Sequence, residues 1–291
     1  MGDMPEIATH SEVLRALFPL LLTFGFFLSL LAVYFLRGTH RRIPEAMMGG
    51  RRGESQVVAR WAVDYWFWVI GPVERLFVRY KLSANYVTVA SVVVSLIAGI
   101  FLYLGEFGWG GWLIFFGGTL DILDGRVARA TGQSSQAGAF FDSTMDRFAD
   151  WFVLSGLIGY YRHSALILLP LLALGGSLLT SYVRARGEGL GISYRQGMMQ
   201  RAERLVTLGL GCSLSPLLVV FLEPGVLHPL HHLTLVALAV LAVLTNYTTL
   251  HRIRAIYRDL VLKENKESAS PPAPPQKPEP ADPVIAFATA E

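Results

Sequence analysis

The chain has 291 residues, 53% hydrophobic and only 16% charged, with a formal net charge of +3. That composition excludes a disordered chain and argues against an ordinary soluble enzyme. The single cysteine, Cys212, lies in an apolar run; it excludes a disulfide framework and reads as a small buried hydrophobe.

Residues 13–36 are an apolar run long enough to cross a bilayer. No basic segment precedes the run and no small-residue cleavage site closes it, so it reads as a retained helix. Residues 37–55 form a basic, glycine-containing linker, which places that end of the helix in the cytoplasm and the N-terminus outside. Residues 56–80 mix Trp61, Tyr65, Trp66, Trp68 and Phe77 with Arg60, Glu74 and Arg79. That mixture predicts an amphipathic helix lying in the interface, kinked at Pro72. Six further spans are predicted at about 86–104, 110–130, 138–160, 164–184, 203–222 and 232–250, within residues 81–258. Residues 259–291 are polar and proline-rich and are expected to be disordered.

Charge alternates between the loops. Arg126 and Arg129, then Arg184, Arg186, Arg195, Arg201 and Arg204, then Arg252, Arg254 and Arg258 fall on one side. The other side carries Glu106, Arg162 and Glu223. An excess of arginine marks the cytoplasmic face.

The chemistry concentrates in residues 121–146, where Asp121 pairs with Asp124 and Asp142 with Asp146. Spacings of three and four put each pair on one helical face. Between them TGQSSQAG reads as a turn, so two antiparallel helices aim two aspartates each at one point. Carboxylates inside a membrane segment mark a functional site by default. Four together repel one another unless a cation lies between them, and hard oxygen ligands favour Mg²⁺, Mn²⁺ or Ca²⁺ over zinc. The competing reading is a structural ion-pair network with Arg126, Arg129 or Arg147. Gly125, Ala128 and Gly138 share the acidic faces and leave room for a ligand against the backbone.

The pattern Asp121-x2-Asp124-Gly125-x2-Ala128-Arg129-x8-Gly138-x3-Asp142-x3-Asp146 resembles the full motif of the CDP-alcohol phosphatidyltransferases. The resemblance covers roughly residues 57–258. It implies an all-α integral membrane protein: a six-helix bundle, here with one extra N-terminal transmembrane helix and an interfacial helix. It implies transfer of a phosphatidyl group from CDP-diacylglycerol to an alcohol, with release of CMP, in phospholipid biosynthesis. It also implies that Asp121, Asp124 and Asp142 are metal ligands, that Asp146 shares that site and is the general base, and that two Mg²⁺ or Mn²⁺ ions serve as cofactors. Asp121, Gly125, Ala128, Arg129 and Gly138 are the implied nucleotide contacts, joined by Asn85 and Thr88 from an element similar to the family's Pro-Asn-x-x-Thr.

Arg184, Arg186, Arg201 and Arg204 suit a phosphorylated acceptor, since guanidinium forks grip phosphate. Their stretches resemble the phosphatidylinositol-phosphate synthase branch, which implies inositol 1-phosphate as acceptor. Glycerol 3-phosphate is the alternative acceptor, and a divalent-cation transporter the alternative of another class. Asp150 reads as a partner for an arginine, and His228, His231 and His232 as loop residues rather than ligands. Small residues Gly175, Gly176, Ser177 and Ser181 predict close helix approach, and the family tends to form homodimers, so a homodimer is expected in the cell's inner membrane with the site facing the cytoplasm.

Overall fold

The computed structural model describes residues 10–36, 60–194, 197 and 199–269. The basic linker, Arg195 and the chain beyond residue 269 lie outside the described residues. Those described are helical with short connections, and no strand occurs among them. In chain order the helices are α1 (His10–Leu36), α2 (Arg60–Arg79), α3 (Ala84–Tyr103), α4 (Phe107–Ala130), α5 (Gln136–Tyr160), α6 (Leu168–Gly189), α7 (Arg201–Leu222) and α8 (His232–Ala269).

Six of these match the expected spans with boundaries moved by a few residues, but α8 runs to Ala269, well past 250 and into the stretch expected to be disordered. The reason is local. Residues 251–269 contain neither glycine nor proline, and the first proline after the span is Pro271. Among the described residues, four helical segments are long and apolar enough to cross a membrane: Ala84–Tyr103, Ala165–Gly189, Arg201–Leu222 and His232–Asn265. The motif helices α4 and α5 are longer than α3, at 24 and 25 residues, but less apolar.

α3 is the hinge of the assembly, packing extensively on both α4 and α5, while α6 packs on α8 and α7 on α4 and α8. Glycine makes the close approaches possible. A Cβ on Gly156 would lie 2.1 Å from the carbonyl oxygen of Gly99, and one on Gly111 would lie 2.3 Å from the backbone nitrogen of Ser213. On α6 the predicted small-residue stripe divides. Gly176 approaches Thr245 of α8 and Ser177 is buried, whereas a Cβ on Gly175 would meet nothing within 4 Å. Part of the stripe expected to serve a second copy is therefore used within the chain.

α1 lies against α2, α4 and α7. Phe27 stacks on Trp66 of α2 and on Trp112 of α4, and the Tyr65 hydroxyl donates to the Phe27 carbonyl at 2.6 Å. The loop before α8 is tied by hydrogen bonds from Tyr160 and Tyr161 to the carbonyls of Pro229 and Leu230. In it His231 is buried and stacks on Phe107 at 3.6 Å, and His232 pairs with Glu223.

Candidate active site

α4 ends and α5 begins at the same end of the bundle as the start of α3, the end of α6 and the start of α7. The turn between α4 and α5 passes through Gly132 at φ +69°, a backbone shape that glycine adopts without penalty. Ser135 then caps α5 by accepting from the Gly138 amide at 3.0 Å. The Gln133 side chain accepts from the Ala84 amide at 3.4 Å, which ties the turn to the start of α3.

This arrangement brings Asp121, Asp142 and Asp146 together, with one carboxylate oxygen of each within 4.8 Å of the others. All three are partly exposed, as a site open to a ligand requires. Asp124 lies deeper and is buried, with Asp121 and Asp142 as its charged neighbours. Its Oδ2 accepts a hydrogen bond from Thr88 Oγ1 at 2.6 Å, and Thr88 Oγ1 also reaches the Ala84 carbonyl at 3.0 Å. Thr88, predicted as a nucleotide contact, thus orients a carboxylate. Asn85 is exposed at the head of the same helix, and Ser83 stands at its N-cap position without a side-chain bond.

The carboxylates meet an arginine remote from them in sequence. Arg201, at the start of α7, contacts Asp121 and Asp146, the latter at 2.7 Å, with Asp150 at 3.8 Å. Of the expected partners, Arg147 also pairs with Asp146, at 3.8 Å, and Arg126 turns to Glu74 of α2. Arg201 was predicted to hold an acceptor phosphate; here its guanidinium lies between two acids and supplies the positive charge they require. Asp150 pairs with the buried Arg204 at 2.9 Å, as expected of a structural acid.

The other acceptor arginines diverge. Arg184 pairs with Glu188 on the exposed face of α6, and Arg186 is exposed nearby. The structure adds Arg252 of α8, which is buried, donates to the Thr180 carbonyl at 2.9 Å and has Arg184 and Arg204 as charged neighbours. In the sequence Arg252 registered only as a mark of topology, since nothing local joins it to residues 48 and 68 positions away. Around the acids, a Cβ on Gly125 would meet the Arg129 guanidinium at 3.4 Å and one on Gly138 would meet Ser135 Oγ at 3.1 Å; Ala128 is half-buried.

A donor set of carboxylate oxygens alone, converging from two helices, fits a hard divalent cation such as Mg²⁺ or Mn²⁺. The contact with Arg201 shows that the cluster draws positive charge.

Comparison with known proteins points the same way. The profile of the CDP-alcohol phosphatidyltransferases matches residues 81–246. An archaetidylinositol phosphate synthase of Methanothermobacter thermautotrophicus is 37% identical over 143 residues, 47% of this chain and 72% of that protein. A phosphatidylinositol phosphate synthase of Mycobacteroides abscessus is 30% identical over 205 residues, 69% of this chain and 90% of that protein. Among solved structures, the phosphatidylinositol phosphate synthase of Mycobacterium tuberculosis with CDP-DAG bound superposes with a TM-score of 0.56 at 27% identity, covering 64% of this chain and 92% of that chain. The same enzyme in complex with manganese and citrate gives the same TM-score, covering 88% of that chain.

Proposed function

Because this chain belongs to the CDP-alcohol phosphatidyltransferase family, we propose that it transfers the phosphatidyl group of CDP-diacylglycerol to inositol 1-phosphate and releases CMP. The observation that carries this reading is the convergence of Asp121, Asp142 and Asp146 beside buried Asp124, at the end of the bundle where the arginines gather. It is supported by relatives that act in phosphatidylinositol phosphate synthesis and by a related structure that binds CDP-DAG.

In this reading Asp121, Asp124, Asp142 and Asp146 hold two divalent ions. When bound, the ions neutralise the diphosphate and stabilise departing CMP. The chain's own residues do the remaining work. Thr88 fixes the rotamer of Asp124. Gly125, Ala128 and Gly138 keep bulk away from the acidic faces, so that a cytidine diphosphate lies against the backbone, with Arg129 and Asn85 at its edge. Asp146 accepts the proton of the acceptor hydroxyl as that oxygen attacks the lipid-bearing phosphorus and the bond to CMP breaks. Arg204, Arg252, Arg184 and Arg186 line the acceptor side, and Arg201 stands between acceptor and acids. Placing the acceptor and screening the diphosphate contribute more to the rate than the proton transfer does.

The chain divides into the α1 segment, the interfacial α2, the bundle over 81–258 and a tail. The arginine-rich end faces the cytoplasm. A homodimer completes the proposal, with Gly175 on the open face of α6 as the point of close approach.

The test is purified full-length protein with CDP-diacylglycerol, Mn²⁺ and a panel of radiolabelled alcohols. CMP release with inositol 1-phosphate, abolished by EDTA, is the expected result. Release with glycerol 3-phosphate alone overturns the acceptor, and turnover in EDTA overturns the metal role.

A further inference from the structure

The ion pair between α2 and α4 connects a helix outside the catalytic bundle to the turn that bears Asp121 and Asp124. Arg126 stands two residues after Asp124 and is buried. Its Nε donates to Glu74 Oε2 at 2.7 Å and its NH2 approaches the same oxygen at 2.6 Å. The guanidinium also lies over the ring of Phe67, 4.7 Å from its centroid. Phe67, Ile70 and Glu74 are spaced three and four apart, so all three lie on one face of α2. Ile70, 3% exposed, packs in a cluster with Val87 of α3 and Leu120 and Leu123 of α4.

Those partners adjoin the site in sequence. Leu120 precedes Asp121, Leu123 precedes Asp124, and Val87 precedes Thr88, which donates to Asp124. One face of α2 therefore touches both helices at the level where Thr88 grips Asp124. α2 is also held by α1, through the Tyr65 hydroxyl on the Phe27 carbonyl and the stacking of Trp66 on Phe27.

We propose that Glu74 is a positioning residue: through Arg126 it fixes the carboxylate-bearing turn of α4, so that the surface helix α2 supports the metal site. The inference rests on the metal reading given above. Ligands that two helices contribute to one ion tolerate little displacement, and side chains that orient them affect affinity strongly. The fork from Arg126 gives α2 a directional hold on α4 that apolar packing by Ile70 does not supply.

The experiment measures Mn²⁺ binding to purified full-length protein from the electron paramagnetic resonance signal of the free ion, which needs neither substrate nor turnover. Glu74→Gln weakens Mn²⁺ affinity about tenfold while helicity and monodispersity are kept, and Glu74→Asp recovers to within about twofold of the parent. The KM for the phosphorylated acceptor stays within about twofold in Glu74→Gln, because the acceptor arginines lie on other helices. Parental Mn²⁺ affinity in Glu74→Gln, or no recovery in Glu74→Asp, overturns the proposal. Should Glu74→Gln not yield folded protein, Arg126→Lys keeps the charge opposite Glu74 and loses the guanidinium's hold on it; an affinity lowered about threefold supports the proposal, and an unchanged one overturns it. A parent protein that leaves the free Mn²⁺ signal untouched instead sinks the metal reading itself.

Discussion

Arg201 crosses from α7 to contact both Asp121 and Asp146, so the acids are balanced by a side chain that competes with any ion for the same oxygens. Removing it leaves neighbouring carboxylates uncompensated. In Arg201→Ala the melting temperature measured in EDTA falls, and added Mn²⁺ raises it by a larger margin than in the parent. Equal margins would show that arginine and ion do not share the oxygens. Asp146, the other acid on this arginine, is the base in the proposed reaction. Asp146→Asn keeps the size of the side chain and removes the base, so CMP release falls by about 10²-fold or more with helicity intact. Near-parental release from that variant would remove Asp146 from the chemistry. The acids were legible in the sequence because a helix brings residues three and four apart to one face. Their partners were not: Thr88 lies 36 residues before Asp124, and Arg201 lies 80 after Asp121 and 55 after Asp146. Those meetings depend on how α3 and α7 pack, and a spacing rule does not reach that far.

At the scale of the element, the site depends on how closely α3 holds α4 and α5. A methyl group on Gly156 has no room, because the Gly99 carbonyl carbon and Cα also lie within 2.8 Å of its position. Backbone atoms cannot swing aside, so Gly156→Ala destabilises by about 1–3 kcal/mol. Thermal unfolding in detergent measures it, with Gly25→Ala in α1 as control, since nothing lies within 4 Å of a Cβ there. Equal melting temperatures for the two variants would mean that α3 and α5 separate without loss. The existence and order of the helices were legible from apolar runs, and so was the turn between the acidic pairs. Polar composition hides the end of α8, because no helix breaker occurs before Pro271 and the helix runs on through polar residues. The division of the small stripe on α6 was not legible, since Gly176 faces α8 while its neighbour Gly175 faces away, and nothing in the spacing says which face has a partner.

The whole molecule has a chemical polarity. One end carries the acids, Arg129, Arg147, Arg184, Arg186, Arg201, Arg204 and Arg252; the opposite end carries Glu106, Arg162 and Glu223. A bilayer sorts such ends, with arginine retained on the cytoplasmic side. That side also supplies the substrates the proposal requires, since nucleotides and sugar phosphates are charged and do not cross lipid. The sequence offers a clean background for testing the orientation, because its only cysteine, Cys212, is fully buried in α7 and silent to surface reagents. Ser134 is exposed in the turn between α4 and α5, and Leu227 is 89% exposed in the loop before α8. With a membrane-impermeant maleimide, Leu227→Cys labels in intact cells, whereas Ser134→Cys labels only in inverted vesicles. The reverse pattern would put the carboxylates outside, away from cytidine nucleotides, and the transferase reading would lose its substrate supply even with its geometry intact.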